Sequence, residues 1–376
     1  MVFFDVVFFS AIAPLLPDYV ADLGLSKAQA GVLSAAYAAG TLVFSLPAGM
    51  VAARLGPRKT VISGLLLLGV ASVVFGFAHQ FLLLDVARFT QGGAGALIWT
   101  GALTWLVSAY PAERRGSIIG TALGTAVVGA LVGPALGALA ATVGTEPVFS
   151  GVLVVAVVLA FFASRLPEFK VPEEQGLHDV AETIVSRPVL LATAFVAIPS
   201  VMFGAVEVLV PLQIADLGGG HALIAGGFIA GAALEAVLAP LAGGYSDRVG
   251  RRTPFMIGLA ICALAMAAVA IGHAMSVVMA GLILTSLGGG ICFTPALTML
   301  SEAAEASDLH QGYAAGLSNM AWATGQVIGG LAGGSTASVA GNAAPSVAII
   351  ILLLGTVAYA SHALASPPPP VRPAEG

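Results

Sequence analysis

The chain has 376 residues, 58% hydrophobic and 9% charged, where a soluble domain carries roughly 25% charged residues. So few charges cannot cover a water-soluble fold of this size, and a net charge of −5 spread this thinly excludes a nucleic-acid partner. What remains is an integral membrane protein, whose 47 glycines suit helices packed closely in lipid.

Runs apolar and long enough to cross roughly 30 Å of hydrocarbon are predicted near 1–20, 28–52, 60–79, 81–109, 116–141 and 147–165. Six more follow near 189–214, 221–244, 253–272, 275–300, 311–338 and 343–365. The expected organisation is a bundle over 1–165, a solvated linker over 166–188, a second bundle over 189–365 and a Pro-rich tail over 366–376. Glu168, Lys170, Glu173, Glu174, Asp179 and Glu182 make that linker the longest polar stretch. Cys262 and Cys292 fall in apolar runs and read as small buried residues, with no disulfide or metal role.

A Gly-plus-basic loop after the second run, Gly49-Met-Val-Ala-Ala-Arg54-Leu-Gly56-Pro-Arg58-Lys59, returns after the eighth. The second copy is Gly243-Gly-Tyr-Ser-Asp247-Arg248-Val-Gly250-Arg251-Arg252, with Arg54 and Arg248 standing 194 positions apart. Gly116-Ser-Ile-Ile-Gly120 is echoed by Gly312-Tyr-Ala-Ala-Gly316, and Gly133-Pro134-x-x-Gly137 by Gly329-Gly330-x-x-Gly333. Six spans in each half keep the repeats parallel, as in a transporter built from two halves. With the N-terminus inside, twelve of the fourteen basic residues are cytoplasmic. Only Lys27 lies outside and Arg88 within a span, so both termini are expected in the cytoplasm. Low Lys, abundant Ala and no recognisable cleavable signal lead to the expectation of a prokaryotic inner-membrane protein.

Ionisable groups inside a span cost ~2.5–3.5 kcal/mol on insertion scales and are candidate functional sites. Asp5, Arg88, Glu207 and Glu235 qualify. If Pro17-Asp18 ends the first span, Asp5 lies ~18 Å inward, near the midplane, and only ~6 Å of helix precedes it. The N-terminus is therefore expected to be short, and the alternative for Asp5 is a solvated helix start. Arg88 either responds to a nearby acid or donates to backbone carbonyls or to Asp85, one turn away. Glu207 precedes Pro211 and suits proton pickup or recognition of a cation, unless it faces water at the outer vestibule. Glu235 lies ~21 Å into its span, as either a coupling acid or a structural one. Trp99, Trp105 and Trp322 could stack on a flat or cationic substrate, although Trp105 sits where an interfacial anchor is ordinary. Asn319 and Gln326 could bind ligand or bridge helices. Six histidines without a cluster, and no Ser–His arrangement, predict neither an enzyme nor a metal or other cofactor.

Over essentially its whole length the chain resembles the major facilitator superfamily. The two loops resemble its signature loop, Arg88-Phe-Thr-Gln91-Gly92 its Arg-x-x-Gln-Gly element, and Gly129-x-x-x-Gly133-Pro134-x-x-Gly137 the motif of its exporting branch. Phe4-Asp5, Ala13-Pro14-Leu-Leu-Pro17 and Glu207-x-x-x-Pro211 are similar to the twelve-span drug:proton antiporters and vesicular amine transporters. The resemblance implies an all-α fold of twelve membrane helices in two parallel six-helix repeats around a central cavity lined by spans 1, 4, 7 and 10. It implies alternating access, a coupling role for Arg88 and a leak-sealing bend at Pro134, where the alternative is close packing alone. Ala53 and Pro57 depart from the signature, which usually has an acid and a basic residue there, so a weakened inner gate in the first half is expected, and Ala53→Asp should slow opening to the cytoplasm.

The expected function is proton-coupled antiport that exports small amphipathic or cationic compounds, the partners being substrate, protons and the bilayer, with a monomer as the working unit. A sugar or metabolite exporter is the alternative within the class, and a non-transporting membrane receptor the alternative outside it.

Overall fold

A computed structural model describes residues 1–109, 112–168, 183–307, 309 and 311–363, with backbone only for 53, 107, 112–123, 311–315 and 363. Most of the linker and the 366–376 tail lie outside the described residues. The helices are α1 (Val2–Ser10), α2 (Ile12–Leu23), α3 (Lys27–Leu55), α4 (Pro57–Gly76), α5 (Phe81–Ala109), α6 (Ala112–Val143) and α7 (Thr145–Arg165). They continue as α8 (Arg187–Asp216), α9 (His221–Val249), α10 (Arg252–Ala270), α11 (Met275–Glu305), α12 (Gln311–Ala340) and α13 (Ala343–Ala363).

Twelve spans were expected and thirteen helices are described, because the first run divides at Ala11 into α1 and α2. Among the described residues, nine helices are long and apolar enough by themselves to cross a membrane. Neither half of the divided run reaches that length, and α5 and α12 are long but not among the nine. Their sequences explain it: α5 carries Asp85, Arg88, Thr90 and Gln91, and α12 carries Ser318, Asn319, Thr324 and Gln326. Polar groups inside a membrane bundle belong where they face other helices or water rather than lipid.

The signature segments are barely loops. α3 runs on through Arg54 to Leu55, Gly56 alone makes the turn, and Pro57 begins α4. Gly56 adopts φ 87° and ψ 156°, and its repeat partner Gly250 adopts φ 86° and ψ 162°. A positive φ of this size is open to glycine and strained for other residues, which lets one residue reverse the chain.

The internal repeat also holds at the packing surfaces. Gly129, Gly133 and Gly137 of α6 lie against the backbone at Phe3, Val7 and Ala11, so closely that a Cβ would strike those carbonyls. On α12, Gly325 and Gly329 press in the same way on the carbonyls of Ala197 and Val201 of α8, and Gly333 lies against the Cα and Cβ of Ala205. The glycines are 196 residues apart and their targets 194. Small residues of this kind let membrane helices approach to backbone contact. α6 continues as one helix past Pro134. The exporting-branch motif therefore seats α6 on the helix that carries Asp5.

Buried apolar residues form one core from Val2 to Ala163 that also takes in Val208 and Leu212, and another from Val189 to Ala360. Between the halves, α3 packs on α12, α6 on α9, and α2 on α8.

Candidate functional site

Asp5 lies in the first turn of α1, yet only 1% of its surface is exposed. Tyr37 of α3 donates its hydroxyl to Asp5 Oδ1 at 2.6 Å, and Trp99 of α5 donates its indole N–H to Oδ2 at 3.1 Å. A carboxylate excluded from water needs such donors on both oxygens. Gly95, one turn before Trp99, leaves the room in which Asp5 and Tyr37 meet. A solvated helix start does not describe this residue.

Arg88 is 2% exposed. Its Nη1 donates to the carbonyl of Phe8 at 3.0 Å and to Gln91 Oε1 at 3.3 Å, and its Nη2 donates to the carbonyl of Phe9 at 3.2 Å. The guanidinium thus caps the C-terminal turn of α1 just before the division at Ala11, where a cation is favoured by the helix dipole. It also lies 5.1 Å from the centre of the Tyr37 ring, within cation–π range. Gln91 passes the network on, donating from Nε2 to Ser72 Oγ at 3.1 Å. Of the two structural roles expected for Arg88, carbonyl capping is the one found. No ion pair joins it to Asp85, whose buried Oδ1 has no hydrogen-bond partner among the described residues.

Glu207 enters from the other half on α8 and faces the hydroxyl of Ser34 on α3. The charge of Arg88 acts on both Glu207 and Asp5. Phe9 joins the halves beside them, with its ring centre 5.1 Å from Tyr37 and 5.2 Å from Trp322 of α12. Asp5, Arg88, Gln91, Trp99 and Glu207 are therefore brought together around the α1–α2 junction. Tyr37 and Ser34 complete the group and were not among the residues expected from sequence.

Glu235 stands apart on α9 against Gly290 of α11, and no hydrogen bond or ion pair reaches its carboxylate among the described residues. Asn319 is half-buried on α12 and shares no described hydrogen bond with the cluster. Trp105 acts as an anchor, donating to the carbonyl of Pro167 at 3.0 Å. A groove of about 400 Å³ between α8 and α13, lined by Phe195, Ile198, Leu352 and Tyr359 among others, includes none of the acids.

At the signature turns the two halves differ. Arg58 donates to the carbonyls of Ser164 at 3.4 Å and Leu166 at 3.0 Å and pairs with Glu168 at 3.0 Å, holding the end of α7. Its repeat partner Arg252 likewise holds the end of α13 through the carbonyl of Ser361 at 2.6 Å. Arg251 has no such counterpart. It pairs with Asp247 and with Glu302 at 3.0 Å, tying the turn to the end of α11. Hydrogen bonding to Asp247, and then to Glu302, raises the Arg251 guanidinium above its already high range, so it is always charged. In the first half the matching positions are Ala53, Pro57 and Ser108. The whole ionic triad is missing there, and Ser108 Oγ is buried without a partner among the described residues. The side chain of Ala53 lies outside the described residues; Arg54 and Arg248 are exposed, as are Gly49's neighbour Met50 and Gly243's neighbour Gly244.

Comparison with known proteins bears on the family and the fold. The family description that matches is the Major Facilitator Superfamily, over residues 1–306 and again over 222–376. A relative from Metarhizium majus, MFS-type transporter ppzB, is 35% identical over 125 residues, 32% of this chain and 27% of its own length. Quinolone resistance protein NorA of Staphylococcus aureus (strain MRSA252) is 28% identical over 109 residues, 29% of this chain and 28% of its own length. The matched stretch thus spans about a quarter of these curated relatives. Among solved structures, a bacterial homologue of the human lysosomal transporter Spinster, in an inward-facing and unoccupied conformation, superposes with a TM-score of 0.76. That similarity covers 96% of this chain and 94% of the other at 14% identity, and it concerns the fold.

Proposed function

Because the chain belongs to the major facilitator superfamily, and so is a multi-pass membrane transporter of small molecules rather than an enzyme, we propose that it exports amphipathic or cationic compounds in exchange for protons. The observation that carries this reading is a pair of buried carboxyls, Asp5 from one half and Glu207 from the other, both within the electrostatic reach of the buried cation Arg88. Arg88 cannot itself cycle through deprotonation, since a guanidinium stays charged. It can compare the two acids: when one is neutralised by a proton, its attraction for the other is no longer shared. Because the acids sit on different halves, a change in that balance favours one relative position of the halves over another.

Tyr37 supplies the local readout. A hydroxyl can donate to a carboxylate and can turn to accept from a carboxylic acid, while the Trp99 indole can only donate. Trp99, Tyr37, Phe9 and Trp322 place aromatic surface beside the acids, which suits a flat cation. A relative named for quinolone resistance supports a drug-like substrate. The central cavity of alternating access would lie between these helices, open toward the signature turns. We place those turns and both termini in the cytoplasm of the inner membrane by the distribution of Lys and Arg. Residues 166–188 serve as the linker between the two bundles, and a monomer is the transporting unit.

Reconstitution in liposomes tests the reading, with a panel of dyes, amines and sugars under an imposed pH gradient. Export of an amine or dye should follow the gradient and be lost in Asp5→Asn and Glu207→Gln. Gradient-driven transport at the normal rate in both variants would remove the carboxyl mechanism, and transport of sugars alone would move the protein to the sugar exporters.

A further inference from the structure

We propose that Asp18 and His221 are gating residues, forming a latch that must break before the transporter can open at its Lys27 face. Asp18 follows Pro17 on α2, in the first half, and His221 is the first residue of α9, in the second. His221 Nε2 and Asp18 Oδ1 are 2.7 Å apart. Lys27 adds a second strap between the halves, donating from Nζ to Asn342 Oδ1 at 2.9 Å and lying 3.7 Å from Asp216. At the opposite face the ion pairs among the described residues, Arg58–Glu168 and Arg251 with Asp247 and Glu302, stay within one half. Among the described residues, the halves are therefore strapped together by charge at the Lys27 face only.

Both side chains remain partly exposed, at 31% and 39%, so the contact can part into water when the halves move. His79 on this face pairs within the first half, with Glu146 at 3.8 Å. None of this depends on proton coupling through Asp5 or Glu207.

Pulsed electron paramagnetic resonance on the full-length protein in nanodiscs tests the latch, with spin labels at Val143→Cys and Val339→Cys. These positions are 61% and 90% exposed and lie at the ends of α6 and α12 on this face, in opposite halves. At one fixed pH, Asp18→Ala and His221→Ala should each raise the open-to-closed ratio about twofold to fivefold, the range for a partly exposed pair. The Asp18→Ala/His221→Ala double variant should add little to either single change, an outcome that two independent folding defects would not give. His79→Ala, on the same face but paired within one half, should leave the ratio unchanged. A parent-like ratio in either single variant, an additive double variant, or an equal rise in His79→Ala would each overturn the latch.

Discussion

Asp5 accepts from Tyr37 through one oxygen and from Trp99 through the other, and the difference between those donors is where a proton would be felt. Removing the adaptable one should matter most. Tyr37→Phe should lower gradient-driven transport roughly tenfold to a hundredfold, in line with ~1.5–3 kcal/mol for a hydrogen bond to a charged group, with normal folding by size-exclusion chromatography. Unchanged transport would show that the hydroxyl is not read. Arg88→Lys keeps the charge but loses the fork that spans the carbonyls of Phe8 and Phe9. It should cost at least as much, and a Lys variant with full activity would reduce Arg88 to a point charge. Much of this cluster was legible as charges inside apolar runs. Tyr37 and Ser34 were not, because a hydroxyl in a helix of Ala and Gly carries no local signal of a partner 32 positions away. Trp99 was visible only as an aromatic surface, and its hydrogen bond to Asp5 belongs to tertiary packing. The Arg88–Asp85 alternative came from helical spacing, which the carbonyls at the end of α1 overrode.

Whole helices were easier to read than their ends. Long apolar runs gave α3 to α13 to within a few residues, because burying or embedding an apolar helix depends on the run as a whole. The division at Ala11 was missed, since α1 and α2 together form one continuous apolar stretch. The glycine ridge of α6 is a feature at this scale: it holds the helix bearing Asp5 by backbone contact rather than by side-chain interlocking. Gly133→Val should destabilise the protein by roughly 1–3 kcal/mol through overpacking, seen as a fall in thermal midpoint, and an unaltered midpoint would mean that α1 can yield. The signature turns modify the expectation placed on Ala53. Asp247 works through Arg251, whose counterpart is Pro57, and Arg251 also uses Glu302, whose counterpart is Ser108. Ala53→Asp alone supplies an acid without its cation and should leave access from that face unchanged. The triple change Ala53→Asp/Pro57→Arg/Ser108→Glu should slow modification of a cysteine placed behind the turn about twofold to fivefold. Equal effects from the single and triple variants would show that the triad does not act as a unit.

At the scale of the molecule, two copies of one helical plan have kept their packing and diverged in their charges. Gly56 and Gly250 share a backbone conformation, and Arg58 and Arg252 hold the last helix of each half. By contrast, the position matching Asp5 is Pro199, that matching Arg88 is Leu282, and that matching Glu207 is Ala13. The repeat was readable because glycine spacing and turn geometry tolerate little change. The functional pairing was not, because it exists only where the unlike halves meet. One measurement bears most directly on that meeting point: substrate-linked proton flux in liposomes, for the parent, Asp5→Asn, Glu207→Gln and the double variant. Each single variant should uncouple proton movement from substrate export, and the double variant should add little further loss. Tight coupling retained in the double variant would contradict the carboxyl mechanism.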